Sequence, residues 1–392
     1  MSSIFSDRIS DVPKSFIREI LKVAVDESVI SFAGGLPNRD LFPVEQIKKA
    51  VNKVLDESGK DALQYSSSEG YSELRKWIAD RYKKKKNLNI SPDNILITSG
   101  SQQGLDLLGK TILNERDDVA IEEPGYLGAI QAFSIYKSTF HPVPVNSRGI
   151  DLKLLEKTLR QYNIKIIYTV PNFQNPSGIS YSNENREQVA RMVSKTSTIL
   201  IEDDPYGELR FMGEDKVSFQ ELIPENTVLL GSFSKIVIPS FRIGWLVARD
   251  DIMEKLLIAK QASDLHTNYF GQRVIFRYLQ DNDIDEHIEV IKQAYGEQRD
   301  AMVASIKEHF PGEIQYTEPE GGMFLWVTLP ENISAMDVFN KSIKEGVAFV
   351  PGDPFYVNKS KVNTLRLNYS SVDKETIKIG IKKLGMVLKE MV

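Results

Sequence analysis

Apolar residues recur at two different spacings along the chain. Residues 12–27 carry them at helical spacing, and the pattern stops before the apolar SVISFAGG. PVEQIKKAVNKVLDES (43–58) puts Val44, Ile47, Val51, Val54 and Leu55 on one face, behind a proline at the helix start. Residues 70–84 repeat this with Leu74, Trp77, Ile78 and Tyr82. Short β-branched runs then begin: ILIT (95–98), DVAIE (118–122), KIIYTV (165–170), TILIE (198–202), TVLLG (227–231) and IGWLVA (243–248). Helical patterns at 101–114, 151–162 and 183–195 separate several of them. Runs apolar on both faces, alternating with helices, predict a mainly parallel sheet covered on both sides.

This is an α/β reading, with a large domain over residues 43–284. Beyond about residue 285 the pattern changes to a long helix (285–309), strand-like runs at 323–328 and 365–369, and a closing helix at 373–390. Residues 1–42 and 285–392 are expected to form a smaller α+β domain, consistent with two or three domains at roughly 150 residues each.

Composition narrows the chemistry. Of 392 residues 41% are hydrophobic and 26% charged, an ordinary soluble balance with enough chain for a large core. The absence of cysteine excludes a catalytic thiol, a disulfide framework and cysteine-bound metal. Four scattered histidines (His141, His266, His287, His309) lack HxH or HxxxH spacing, so no metal site is expected. A net charge of −5 argues against a nucleic-acid partner. The one basic run, Arg81-Tyr82-Lys83-Lys84-Lys85-Lys86, reads as a phosphate patch or, in better accord with the helix before it, as the cationic last turn of that helix. MSSIFSDRIS has no apolar core, so no signal peptide is expected. The most apolar stretch, residues 231–248, is broken by Lys235 and Arg242. A cytoplasmic protein without a membrane partner is expected.

In parallel sheets, ligands collect beyond the carboxyl ends of the strands, so the polar residues there come first. After ILIT, Ser99-Gly100-Ser101-Gln102 opens a helix, either as an anion cradle or as a simple cap. After KIIYTV, a turn carries Asn175, which offers an amide or merely shapes the turn. After TILIE come Asp203, Asp204 and Tyr206; two carboxylates closing a buried strand point to opposite faces, so only one can enter a given site. After TVLLG come Ser232, Ser234 and Lys235, with Arg242 seven residues on. A lysine there is a Schiff-base amine or a snorkelling side chain. Taken together the set supplies a phosphate grip, an imine partner, a ring-nitrogen partner and phenolate-oxygen donors, which is what a phosphorylated pyridine aldehyde needs.

The motifs resemble pyridoxal-phosphate aminotransferases of fold type I, class I/II, from SFAGGLPN (31–38) to LRLNYS (365–370), nearly the whole chain. SFIREIL (15–21), SFAGGLPNRDLFP (31–43), LQYSSSEGYSELR (63–75), TSGSQQGLDLLGK (98–110), EDDPYGEL (202–209), GSFSKIVIPSFRIGW (231–245), Asp264-Leu265-His266-Thr267 and EGGMFLW (320–326) are most similar to the 2-aminoadipate, kynurenine and broad aromatic/branched-chain group.

The resemblance implies pyridoxal 5′-phosphate as cofactor. It implies that Lys235 carries it as a Schiff base and then shuttles a proton between the substrate α-carbon and cofactor C4′. By the same likeness Asp203, chosen over Asp204 by the family pattern D-x-x-Y, pairs with the pyridine nitrogen, and Tyr206 and Asn175 bond the phenolic oxygen. Ser101, Gln102, Ser232, Ser234 and Arg242 would hold the phosphate, and Tyr126 would stack on the ring. Tyr65 would reach the phosphate of a neighbouring subunit, implying a homodimer with shared sites. Arg366 would clamp the substrate α-carboxylate as a planar fork, beneath backbone at Gly35. Arg18 is either a solvent-facing helix residue or the partner of a distal carboxylate; in the second case helix 12–27 is a lid. The expected activity is ping-pong transfer of an amino group from 2-aminoadipate, glutamate, aromatic or branched-chain amino acids to a 2-oxo acid such as 2-oxoglutarate. The alternatives are a β-lyase or decarboxylase on the same fold, or a regulator, which the roughly 30 residues before SFAGGLPN are too few to equip with a DNA-binding domain.

Overall fold

The β-branched runs become the centre of an eight-stranded sheet in a computed structural model that describes residues 4–10, 28–358 and 362–392. In chain order the strands are β1 (Ile30–Ser31), β2 (Ile95–Thr98), β3 (Asp118–Glu123), β4 (Thr139–Asn146), β5 (Gly149–Ile150), β6 (Ile164–Thr169), β7 (Ile199–Asp203), β8 (Thr227–Ser232), β9 (Gly244–Val247), β10 (Gln315–Tyr316), β11 (Phe324–Thr328), β12 (Val347–Ala348), β13 (Val350–Pro351) and β14 (Thr364–Asn368). The longer helices are α1 (Val44–Ala62), α2 (Ser72–Lys86), α3 (Ser101–Ile112), α4 (Leu127–Ser134), α5 (Leu152–Gln161), α6 (Asn183–Val193), α7 (Asp250–Ser263), α8 (Tyr269–Asp281), α9 (Ile284–His309), α10 (Ala335–Ser342) and α11 (Lys374–Lys389). The helical pattern at 12–27 lies outside the described residues.

The large sheet runs β2-β9-β8-β7-β6-β3-β4-β5. The pairs β3/β4, β3/β6, β6/β7 and β7/β8 are parallel. β9 is antiparallel to both β2 and β8, so β2 points the same way as β8. The carboxyl ends of β2, β8, β7, β6 and β3 therefore share one edge, where β9 also begins. The sheet is apolar on both faces, and its residues divide by parity. Val119, Ile121, Ile166, Tyr168, Ile199 and Ile201 join one apolar cluster. Ala120, Ile167 and Leu200 join a second. Each such side chain, fully buried, contributes roughly 1.5–3 kcal/mol. This two-faced burial is the continuous hydrophobic character seen in the sequence.

The sequence pattern did not reveal β4. Its alternating, half-exposed TFHPVPVN contains Pro142 and Pro144, which read against a strand. It is tolerated because β4 lies near the sheet's end, with only the two-residue β5 beyond it. The helix expected over 43–58 runs on to Ala62, with non-helical backbone at Ser58.

The C-terminal part builds a second, antiparallel sheet, β10-β11-β14-β13. The segment around β1 is bound to it: β1 pairs with β12, Phe32 N–H donates to Ala348 O, and Asn368 N–H donates to Phe32 O. These bonds deliver Gly34 and Gly35 to the edge of the large sheet.

β8 and β9 approach closely at Gly231, where a Cβ would stand 2.4 Å from the buried Trp245 indole. Gly231→Ala is expected to cost about 1–3 kcal/mol through overpacking. Chemical denaturation checks this; an unchanged midpoint would refute the packing argument.

Candidate active site

One open cleft lies along the shared strand edge, and its walls come from the strand-end segments singled out in the sequence. Ser101 and Gln102 enter from the start of α3, Tyr126 from the turn after β3, and Asn175 from the turn after β6. Asp203 closes β7, Tyr206 follows it, and Ser232, Ser234, Lys235 and Arg242 come from the β8–β9 connection. Arg366 reaches the same cleft from β14 of the second sheet, and Gly35 from the segment after β1.

At one end are groups suited to an anion. The first N–H groups of a helix lack intrahelical partners and favour negative charge, and α3 begins here. Gly100 precedes it at φ +77°, and a Cβ there would meet the Arg242 guanidinium at 2.5 Å. Arg242 is exposed and itself sits at φ +54°, a rare conformation of the kind held at functional sites. Its Nη1 lies 3.4 Å from Ser234 Oγ, while Ser232 Oγ accepts from Ser234 N–H at 3.1 Å. Gln102 Nε2 donates to Gly128 O across the cleft mouth at 2.9 Å.

Deeper in, Asp203 is 2% exposed. Tyr168 donates its hydroxyl to Asp203 Oδ2 at 2.7 Å. Oδ1 has no protein partner at hydrogen-bond geometry, and neither has the neighbouring Ser101 hydroxyl. Burial raises the Asp203 carboxyl to about 7, against the stabilising hydroxyls of Tyr168 and Ser101 and with added repulsion from Asp204. Lys235 Nζ donates to Gly35 O at 2.8 Å. Burial lowers its amine to about 8, helped by the cations Arg366 and Arg242.

Arg366 on β14 donates to Asn175 Oδ1 at 2.8 Å and to Ala33 O at 2.9 Å, leaving Nε without a partner. Its guanidinium stacks 4.2 Å from the Phe324 ring centroid and 5.4 Å from Phe355. Burial lowers it to about 10, although it remains the cation of the pair it would form. Burial pushes the Tyr126 phenol up to about 12, and raises that of Tyr206 as well.

Sequence reasoning missed three contributors. Tyr168 and Phe324 are strand residues whose apolar surroundings hid them, and only the pairing of strands shows that Tyr168 reaches Asp203. Glu122 is the third. It is fully buried on β3, accepting from Tyr181 Oη at 2.8 Å, Val170 N at 3.0 Å and Gln174 Nε2 at 3.1 Å, and so fastens the turn that carries Asn175. Its carboxyl is raised to about 7 by burial.

All the expected residues meet in the cleft except two. Tyr65 is 79% exposed and contacts His266 edge-on at 5.8 Å instead. Arg18 lies outside the described residues. Asp204 turns to the opposite face, where Lys86 pairs with it, as strand geometry requires. No cluster of His, Asp and Glu among the described residues could hold a metal, and no described helix is long and apolar enough to cross a membrane.

Three buried polar atoms lining one cleft, Asp203 Oδ1, Ser101 Oγ and Arg366 Nε, lack a protein partner at close hydrogen-bond geometry, although the Ser101 hydroxyl is near enough to Asp203 to favour its ionised form; such atoms leave room for bound groups to complete the bonding. A cation against the first, an anion against the helix start and a carbonyl carbon beside Lys235 fit pyridoxal 5′-phosphate. Fold and site thus define a pyridoxal-phosphate enzyme.

Comparison with known proteins agrees. Residues 27–384 match the family described as aminotransferase class I and II. Aromatic-amino-acid aminotransferase 1 of Thermococcus litoralis is 41% identical, the match covering 98% of this chain and 94% of that protein. The 2-aminoadipate transaminase of Thermus thermophilus is 40% identical, covering 99% and 97%. The crystal structure of Pyrococcus horikoshii kynurenine aminotransferase, in complex with PMP and kynurenine, superposes with a TM-score of 0.95 at 40% identity, covering 99% of this chain and 98% of that one. The chain belongs to the class I and II aminotransferases. It is a pyridoxal-phosphate-dependent enzyme of amino-group transfer.

The depressed Lys235 amine has a direct consequence. Its neutral fraction rises through about pH 8, so labelling of Lys235 by an amine-reactive reagent in the cofactor-free protein should be half-maximal there. Ordinary surface lysines titrate near 10.4. A midpoint above 10, read by peptide mass spectrometry, would contradict the site geometry.

Proposed function

We propose that this aminotransferase takes its amino group from 2-aminoadipate, glutamate, aromatic or branched-chain amino acids and gives it to a 2-oxo acid such as 2-oxoglutarate, in two half-reactions. The observation that carries the reading is the convergence of Lys235, Asp203 and Arg366 in one cleft. The named activities of the relatives, on aromatic amino acids, 2-aminoadipate and kynurenine, support this substrate range.

Pyridoxal 5′-phosphate, when bound, supplies an aldehyde carbon that receives the amino group and a cationic ring that withdraws electrons from the α-carbon. Asp203 keeps the ring nitrogen protonated, since a buried carboxylate is stabilised most by a cation beside it. Tyr206 and Asn175 hold the ring's phenolic oxygen, and Tyr126 covers its face. Ser101, Gln102, Ser232, Ser234 and Arg242 hold the phosphate. Arg366 binds the substrate α-carboxylate, and its pinned stance between Phe324 and Phe355 fixes where the α-carbon lies. Lys235, whose amine is neutral part of the time at physiological pH, would remove the α-proton and deliver it to C4′, the cofactor's former aldehyde carbon. The carbonyl of Gly35 keeps that amine aimed into the cleft.

The same proposal includes a homodimer in which Tyr65 reaches the phosphate of a second copy. Its support is the exposure of Tyr65 beside an exposed Leu63. Also within it are a large cofactor-binding domain over 43–284, a small domain from 1–42 and 285–392, and a cytoplasmic location.

Glutamate alone should convert the cofactor's visible spectrum to that of its amine form, without ammonia release. Lys235→Ala should bind the cofactor yet lose turnover by at least about 10³-fold, as expected when a general base and covalent anchor is lost. An unchanged spectrum with accumulation of ammonia and a keto acid would instead establish a lyase. If Arg18 meets a distal carboxylate, Arg18→Ala weakens kcat/KM for 2-aminoadipate by about tenfold or more, the worth of a charged hydrogen bond, and spares leucine. Equal loss for both donors removes Arg18 from the specificity argument.

A further inference from the structure

The basic run Arg81 to Lys86 closes α2 outside the residues that hold the cofactor. It is more than a cationic helix end. The helix is capped by Asn87 in the left-handed conformation, whose N–H bonds to Lys83 O. The charges of the run are directed elsewhere. Lys84 and Lys85 reach Asp285 at the start of α9, at 3.6 and 3.0 Å. Arg81 pairs with Glu208 and with Asp285. Lys86 Nζ lies 2.7 Å from Asp204 Oδ2, with the lysine side chain 21% and the aspartate side chain 6% exposed.

Asp204 is thereby locked. Its Oδ1 accepts from Asn172 Nδ2 at 2.8 Å. Its carboxylate presses on the residue directly after Tyr206, for a Cβ at Gly207 would stand 2.4 Å from both Asp204 oxygens. Asp203 and Asp204 thus end one buried strand with their carboxylates on opposite faces. Among the described residues only Asp204 has a cationic partner. Two neighbouring carboxylates in a poorly polarisable interior oppose each other's ionisation. Removing Lys86 leaves Asp204 with Asn172 and, behind it, Arg186, and the less compensated charge disfavours ionisation of Asp203.

We infer that Lys86 is a positioning residue for transamination: by compensating Asp204 it lets Asp203 stay ionised for the cofactor's ring nitrogen, although Lys86 itself touches neither. The inference rests on the role of Asp203 proposed above. Asp203 is sensitive to such a change because burial already holds its carboxyl near neutrality.

The test compares the parent with Lys86→Met, Lys86→Arg and the double variant Lys86→Met/Asp204→Asn. Three quantities are read: the dissociation constant of pyridoxal 5′-phosphate titrated into the cofactor-free protein, kcat against KM for glutamate, and the melting temperature. Lys86→Met should weaken cofactor binding and lower kcat by about tenfold each, the effect of one unit of carboxyl pKa, with KM within about twofold. Lys86→Arg, which keeps the charge, should recover most of the loss. The double variant, in which the lone carboxylate is gone, should also recover it. Parental cofactor binding in Lys86→Met overturns the inference. So does a double variant as impaired as Lys86→Met, because a purely structural brace would give that result. Should Lys86→Met fail to fold, the double variant against the parent decides: near-parental binding supports charge compensation, and tenfold weaker binding overturns it. A parent that neither binds the cofactor nor transaminates would refute the role of Asp203 instead, a separate outcome.

Discussion

Asp203 holds a carboxylate at the end of β7, with one oxygen on the Tyr168 hydroxyl and the other buried beside the Ser101 hydroxyl at the cleft wall. Leaving a carboxylate in such a place costs several kcal/mol unless a partner compensates. On the proposed reading the compensation is a pyridine cation, so a group that destabilises the cofactor-free protein would become an anchor once the ring is bound. Much of the surrounding structure serves this arrangement. The two apolar clusters on the sheet's faces keep water from β7. The parallel order of β6, β7 and β8 brings Tyr168, Asp203 and the Lys235 turn to one edge. Lys86 takes up the charge of the second aspartate on the far side.

The second sheet solves a different problem. On the proposed reading, a substrate carboxylate needs a cation that does not itself collapse onto Asp203. Arg366 comes from β14, held by Asn175 and Ala33 and sandwiched by aromatic rings. It is therefore pre-aimed from across the cleft, with its Nε still unpartnered. Because Arg366 bonds both the Asn175 turn of the large sheet and the Ala33 backbone, one side chain joins these two segments within the cleft. Glu122 fastens the same turn from beneath. A perturbation of this buried carboxyl therefore moves Asn175 and Arg366 together.

Much of this was legible in the residues. Strands buried on both faces must be apolar throughout, and residues 95–98, 164–169, 199–203, 227–232 and 244–247 show it. The groups following those strands were identifiable because polar residues directly after a buried run have few other reasons to be there. The opposite facing of Asp203 and Asp204 followed from the two-residue period of a strand. β4 was hidden because a strand near the sheet's end tolerates prolines and half-exposure. Tyr168 and Glu122 were hidden because a buried polar group within an apolar run reveals its purpose only through its partner.

Sequence alone determined the chemical inventory: a lysine, a carboxylate, a phenol, an amide and arginines, without cysteine or clustered histidine, placed at strand ends. That much depends on local period and residue type. The tertiary structure decided which groups face one another. It set Tyr168 against Asp203, Glu122 under the Asn175 turn, Arg366 between two rings, and the lysine run against Asp204 and Asp285 rather than bulk solvent. Apart from Arg366 and Phe355, these pairings join residues at least 35 positions apart, and Lys84 and Asp285 are 201 apart. No local periodicity encodes such contacts. They follow from the strand order, which is set by how the whole chain buries its apolar faces.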